Sequence, residues 1–216
     1  MTPAMTDRSL ATSADYADAL LVARRAKKLL FLLILLMLLI QIAFFFVARY
    51  TDLIPSASSP PASSPPTTRP AGRELIHYAS GITLFLGTIL PILLAMTLFL
   101  IVHIMLVGRL IGVARVTSAL VWCMVLILFM FPWQIFFGAT SNPADFRVPG
   151  VLYTWHDLYA NAKFPASNLN LAIVKWSRFF VMPLVATILL LGIQIKSNRG
   201  LRQALGEERP DITITT

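Results

Sequence analysis

The sequence predicts an all-α integral membrane protein in which four transmembrane helices form a bundle. Of its 216 residues, 57% are hydrophobic and only 13% are charged, about half the charged share of an ordinary soluble domain. Four apolar runs approach or exceed the length of about 20 residues that a helix needs to cross a bilayer core. None of these runs contains Asp, Glu, Lys or Arg. Barrel strands would alternate in polarity, and no such alternation is present.

The first span is predicted at residues 29–48, after a polar N-terminal segment of residues 1–28. The basic stretch Arg-Arg-Ala-Lys-Lys at 24–28 directly precedes the apolar run. The polar lead is too long for a secretory signal, and no clear A-x-A cleavage site follows, so an uncleaved anchor is favoured. From Ser13 the segment has a capping serine and early aspartates, which indicates a helix that runs straight into the span.

The predicted connection between the first and second spans is long, and the one between the second and third spans is short. Residues 49–81 form a predicted outer loop whose Pro/Ser-rich part, residues 55–72, is typical of an extended spacer. The second span follows at residues 82–107. A turn at 108–115 then leads into the third span at 116–137.

A second outer loop is predicted at residues 138–178, between the third and fourth spans. Its apolar residues recur at helical spacing, which predicts a short amphipathic helix on the outer leaflet or against the bundle. They are Val151, Leu152, Trp155, Leu158, Tyr159 and Ala162. The fourth apolar run covers residues 179–195, and its helix is expected to begin near Ser167 or Asn168. Residues 196–216 form the tail.

The distribution of Lys and Arg predicts the orientation. Of 18 basic residues, eleven fall in the N-terminal segment, the 108–115 turn and the tail, which places both termini in the cytoplasm. The protein is therefore expected in a membrane of the bacterial inner-membrane type. Seven aromatic residues are expected to form an interfacial belt on the outer side. They are Tyr50, Tyr78, Trp133, Tyr153, Trp155, Tyr159 and Trp176.

The three histidines are the candidate cofactor ligands, because neutral imidazole binds haem and metal ions. His77 and His103 lie on one predicted helix, about 39 Å apart at 1.5 Å per residue, so they cannot share one haem. His77 and His156 are both predicted on the outer side, where they could hold haem b or a metal. The alternative is that all three are ordinary interfacial residues. No cofactor is favoured by the sequence, and haem b is the alternative considered.

Small and polar residues within the spans predict helix packing. Gly87, Pro91 and Ala95 follow one another at intervals of four on the second span, a face that another helix can approach closely. Gln41 and Gln134 lie toward the outer ends of their spans, where they could meet, and they are interpreted as helix-packing residues.

The sequence leaves three functions open and favours one of them. No catalytic motif is present, and the net charge of +8 arises from residues that flank the spans, so neither an enzyme nor a nucleic-acid partner is expected. A non-catalytic membrane subunit or scaffold is favoured, with the bilayer and other membrane proteins or further copies of itself as partners. The alternatives are a redox-chain subunit that binds haem b or quinone, and an oligomeric small-solute transporter or channel.

Overall fold

The computed structural model describes residues 4–50, 71–133, 151–153, 158 and 169–207, without the side chains of residues 4–14, 71–77 and 171. The described chain is helical and contains no strand. Its helices are α1 (Ala4–Tyr50), α2 (Ala71–Val107), α3 (Val113–Met130), α4 (Leu169–Trp176) and α5 (Met182–Ala204), and a π-helical turn, Ser177–Val181, joins α4 to α5.

Four helical stretches are long and apolar enough to span a membrane. They are Asp15–Tyr50, Tyr78–Val107, Val113–Met130 and Ala172–Ala204. This confirms the prediction of an all-α chain with four potential spans for the residues described. The bundle arrangement and the amphipathic helix of the second outer loop stay predictions, because most of that loop lies outside the described residues.

The first helix is longer than its apolar run. It begins at Ala4, earlier than the predicted start at Ser13, and continues without a break to Tyr50. At 1.5 Å per residue its 47 residues extend about 70 Å, more than twice a hydrocarbon core. The basic residues at 24–28 are therefore part of the same continuous helix as the span that follows them.

The third helix ends earlier than the predicted boundary at residue 137. It stops at Met130, and Phe131 and Pro132 are not helical. Proline has no backbone N–H and disfavours helical geometry in the residue before it, so Pro132 explains the end of the helix. The indole Nε1 of Trp133 then donates to the carbonyl of Leu128 at 2.8 Å, which satisfies one of the carbonyls at the helix end.

The fourth span contains a π-helical turn that the sequence did not predict. The N–H of Met182 donates to the carbonyl of Ser177, five residues earlier. Pro183 follows directly and cannot donate to the carbonyl of Phe179, so an α-helical hydrogen bond is missing at this place. The wider turn accommodates that gap within an otherwise continuous helix.

The chain divides into two compact units, which we name by their side chains. The basic unit comprises Met1–Leu33, Pro91–Leu126 and Leu189–Thr216, and the aromatic unit comprises Ile34–Leu90 and Ile127–Ile188. Aliphatic residues fill the core of the basic unit, among them Leu20, Leu94, Leu98, Ile101, Met105 and Leu201. The core of the aromatic unit is built from Phe45, Ala48, Tyr153, Leu158 and Phe179.

Candidate functional site

Lys27 is the most buried charged residue in the described chain. Only 1% of it is exposed, and its ammonium donates to Ser197 Oγ at 2.8 Å and to Asn198 Oδ1 at 2.6 Å. A buried ammonium is strongly destabilising unless hydrogen bonds replace its hydration. Here two neutral oxygen acceptors provide them, and the contact joins α1 to α5.

A charged group lies one helical turn before Lys27. Arg24 Nη1 binds Glu207 Oε1 at 3.0 Å, and Arg202 Nε lies 3.7 Å from Glu207 Oε2. All three side chains are partly exposed. One carboxylate therefore lies between guanidinium groups from two different helices, which we call the Glu207 bridge.

The end of α5 holds Glu207 in place. Gly206 has a φ of +71°, the left-handed conformation in which helices commonly end at glycine. Its N–H donates to the carbonyl of Gln203, and the N–H of Glu207 donates to the carbonyl of Arg202 at 2.8 Å. This pair of bonds is a Schellman motif, and it turns the chain so that Glu207 lies back beside Arg202.

Two glycines bring the backbones of the α2–α3 turn and of α5 together in the basic unit. A Cβ atom at Gly112 would lie 2.6 Å from the carbonyl oxygen of Gly200, and Gly112 has a φ of +97°. A Cβ atom at Gly200 would lie 2.6 Å from Val116 Cγ2. Only glycine fits at this crossing.

A segment of the second outer loop packs into the aromatic unit. The N–H of Val151 donates to the carbonyl of Phe129 at 3.4 Å, and Leu152 covers Gly87, with 2.9 Å between its Cδ2 and the place of a Cβ atom. The hydroxyl of Tyr153 donates to the backbone carbonyl of Gln41. Burial raises the pKa of the Tyr153 phenol, so the hydroxyl stays protonated and available as a donor.

Gln41 is the least satisfied polar group in the described interior. It is fully buried, and its Nε2 donates weakly to Thr83 Oγ1 at 3.4 Å. Thr83 in turn donates to the carbonyl of Ser80 at 2.9 Å. Gln41 Oε1 has no hydrogen-bond partner among the described residues. An amide oxygen buried in this way destabilises the protein by about 1–3 kcal/mol.

Stacked rings surround these polar groups. Phe45 lies parallel to Phe179 with 5.4 Å between ring centroids, and the ring of Trp176 meets Phe45 edge-on at 5.3 Å. The guanidinium of Arg49 lies 5.7 Å from the centre of the Trp176 ring, a cation–π contact that adds about 0.5–2 kcal/mol. The C-terminal end of α1 and the start of the fourth span are thus joined through aromatic side chains.

Of the three candidate cofactor ligands, the structure describes the side chain of His103 alone. His103 is exposed on α2, and its ring lies 4.5 Å from the ring of Phe99. His77 belongs to α2, but its side chain lies outside the described part of the chain, as does all of His156. No group of three or more His, Cys, Asp or Glu that could hold a metal occurs among the residues described. The proposed pairing of His77 with His156 stays a prediction.

The predicted packing residues of α2 lie on its buried side. Gly87 is covered by Leu152, a residue of the loop segment rather than of another helix. The carbonyl of Pro91 accepts from Cys123 Sγ at 3.8 Å, and Ala95 is buried. Gln134, which could meet Gln41, lies outside the described residues, so this pairing also stays a prediction.

Two structurally important residues were missed by the sequence analysis. Lys27 was expected to set the orientation and to lie against lipid headgroups, but it is buried and continues the stripe of Leu20, Ala23 and Phe31 along α1. That helical spacing was the available signal. Tyr153 was assigned to the interfacial belt, and the structure instead shows its ring packed inside the protein, with 1% of it exposed. No family model, curated protein or solved structure matches the chain.

Proposed function

We propose that the protein is a non-catalytic subunit or scaffold of a larger membrane complex. In this proposal the four spans form one bundle in a bacterial inner membrane, both termini are cytoplasmic, and an amphipathic helix lies in the second outer loop. Its surface within the bilayer, rather than an internal site, would then contact other membrane proteins.

The observation that supports this proposal is that buried polar groups bind other parts of the protein itself. The ammonium of Lys27 binds side chains of α5, and the hydroxyl of Tyr153 binds the backbone of α1. Polar groups that bind each other hold the helices together. Such groups are then not available to line a polar path or an open binding site. A transporter or an enzyme would require such groups to face substrate.

The outward faces of the spans agree with such a role. Large apolar side chains are exposed along every span, for example Leu32, Phe85, Val121 and Ile188. In a bilayer these side chains contact lipid or another membrane helix. A subunit needs no further feature, because helix association in lipid depends on packing rather than on buried charge.

The experiment is purification in a mild detergent, followed by mass analysis of the particle and a visible absorption spectrum before and after dithionite. We expect other membrane proteins at a fixed stoichiometry and no Soret band. A reduced b-type α-band that disappears in His77→Ala or His156→Ala would establish the redox alternative instead. A colourless particle that contains only this chain would contradict the subunit proposal and favour the channel or transporter.

A control separates a specific complex from proteins that merely share detergent micelles. An unrelated four-span protein carrying the same tag is purified in parallel from the same membranes. Proteins that belong to the complex should be absent from this control. They should also keep their ratio to the chain through two successive purification steps, whereas contaminants change in ratio.

A further inference from the structure

The strongest unassigned feature is the group of charges around Glu207 in the basic unit. Arg24 and Arg202 lie with Lys27 on adjoining turns of α1 and α5, and in the described part of the chain Glu207 is the carboxylate that ion pairs place between the two arginines. Lys27 is held by the neutral oxygens of Ser197 and Asn198. The positive charge of the group therefore exceeds the negative charge within the described residues.

We propose that this group binds the phosphate of an anionic lipid headgroup, and that the Glu207 carboxylate occupies the phosphate position when no lipid is bound. Guanidinium groups bind carboxylates and phosphates through the same pairs of N–H donors. Arg24 and Arg202 already converge on one oxyanion from two helices. A phosphate offers more acceptor oxygens than a carboxylate and satisfies the same donors.

The depth of the group favours a lipid over a soluble phosphate. Lys27 lies two residues before the apolar run 29–48, and Ser197 lies two residues after the run 179–195. Arg24 lies about 7 Å from the start of that first run along α1, at 1.5 Å per residue. The headgroup layer is about 5–8 Å thick on each side of the bilayer. Arg24 therefore lies within the layer of lipid phosphates. Arg202 lies about 10 Å beyond the run 179–195 along α5, and the Glu207 bridge joins its side chain to that of Arg24.

The neighbouring surface suits the acyl chains of the same lipid. Leu21 and Leu32 are exposed on the side of α1 that carries Arg24. Basic sites beside transmembrane helices are typical positions for anionic headgroups. Glu207 lies beyond the left-handed Gly206 and is partly exposed, so it can leave the arginines without unfolding α5.

The chain offers a matched control for each arginine. Arg25 is the neighbour of Arg24 on α1, and Arg199 lies three residues before Arg202 on α5. Both controls are exposed and carry the same charge, but neither contacts Glu207 in the ion pairs described. If binding reflects only general attraction to an anionic membrane, substitution of any of these four arginines should weaken it equally. If lipid binds at a defined site, substitution of Arg24 or Arg202 should weaken binding more than substitution of Arg25 or Arg199.

The experiment measures binding of phosphatidylglycerol to the full-length protein in detergent by native mass spectrometry, with phosphatidylcholine as the zwitterionic reference. We expect Arg24→Gln and Arg202→Gln to weaken phosphatidylglycerol binding about tenfold each. Arg25→Gln and Arg199→Gln should change it less than about twofold. Glu207→Gln should strengthen binding severalfold, because it removes the competing carboxylate.

Two further arms identify the source of the phosphate and guard against misfolding. Inorganic phosphate added at the same concentration should displace little lipid, and Arg24→Lys should retain only part of the affinity, because lysine lacks the planar fork. Equal losses in all four glutamine variants, or no gain in Glu207→Gln, would overturn the proposal. Complete displacement of lipid by inorganic phosphate would overturn the assignment to a lipid.

Discussion

The basic unit and the aromatic unit both take residues from α1, but they fix that helix through different chemistry. In the basic unit a side-chain ammonium binds two side chains of α5, and an ion pair lies nearby. In the aromatic unit a phenol binds a backbone carbonyl among stacked rings. The comparison shows that one helix can be held by polar contacts near its middle and by ring packing near its C-terminal end.

The difference follows from what each chemistry requires. A buried ammonium needs oxygen acceptors close by, and the polar residues Ser197 and Asn198 follow the last apolar run directly. Aromatic rings are apolar, so their burial requires no hydrogen bonds in place of hydration. They stabilise a contact through the area they bury and through their edge-on or face-to-face geometry. Four substitutions test this comparison, from the largest expected effect to the smallest.

Lys27→Ala should cause the largest loss of stability, about 2–4 kcal/mol, because it empties a buried volume and removes both bonds to α5. Lys28→Ala, at an exposed neighbour with the same charge, should change the free energy of unfolding by less than about 0.5 kcal/mol. Unfolding of the detergent-solubilised protein measures both. Similar losses in the two variants would show that Lys27 is not a structural contact.

Gly200→Ala should destabilise the basic unit by about 1–3 kcal/mol, because its methyl group would meet Val116 and the backbone of Gly112. Gly192, on the same helix, has no atom within 4 Å of the place of a Cβ atom. Gly192→Ala should therefore be neutral or raise stability by up to about 1 kcal/mol. Thermal midpoints of the two variants that shift in the same direction would contradict the close crossing.

Tyr153→Phe isolates the polar contact of the aromatic unit, because it removes the hydroxyl and leaves the ring against Phe179. We expect a loss of about 0.5–1.5 kcal/mol, the usual net value of one hydrogen bond. Tyr50→Phe, at an exposed ring near the C-terminal end of α1, is the control and should be neutral. An unchanged midpoint in Tyr153→Phe would mean that ring packing alone holds the segment.

Gln41→Leu should have the smallest effect and the opposite sign. The substitution removes a weak bond to Thr83 and an amide oxygen without a partner among the described residues. The free energy of unfolding should stay constant or rise by up to about 1 kcal/mol. A loss above about 1 kcal/mol would show that the oxygen is bound by a donor in the native protein.

The sequence predicted the number and chemical character of the spans well, because length and hydropathy decide both. The end of α3 at Met130 was not predicted, because apolar residues continue to Phe137 and hydropathy does not register the break at Pro132. The π-helical turn before Pro183 was also missed, since hydropathy is insensitive to backbone geometry.

The buried contacts were harder to predict than the spans. Lys27 looks like an orientation signal until its place on the stripe of Leu20 and Ala23 is considered. Tyr153 looks like an interfacial residue, because nothing local shows that its segment folds back onto α1. Both contacts join residues more than 100 positions apart, and a single sequence carries no direct record of such pairs.

The central claim is that the buried polar groups bind each other and thereby fix the helices. A double-mutant cycle between Lys27→Ala and Asn198→Ala tests it most directly, with unfolding free energies measured for the wild type, both single variants and the double variant. We expect the two losses to be non-additive, with a coupling energy of about 1–3 kcal/mol. Losses that add to within about 0.5 kcal/mol would contradict the claim, because Lys27 and Asn198 would then stabilise the protein independently.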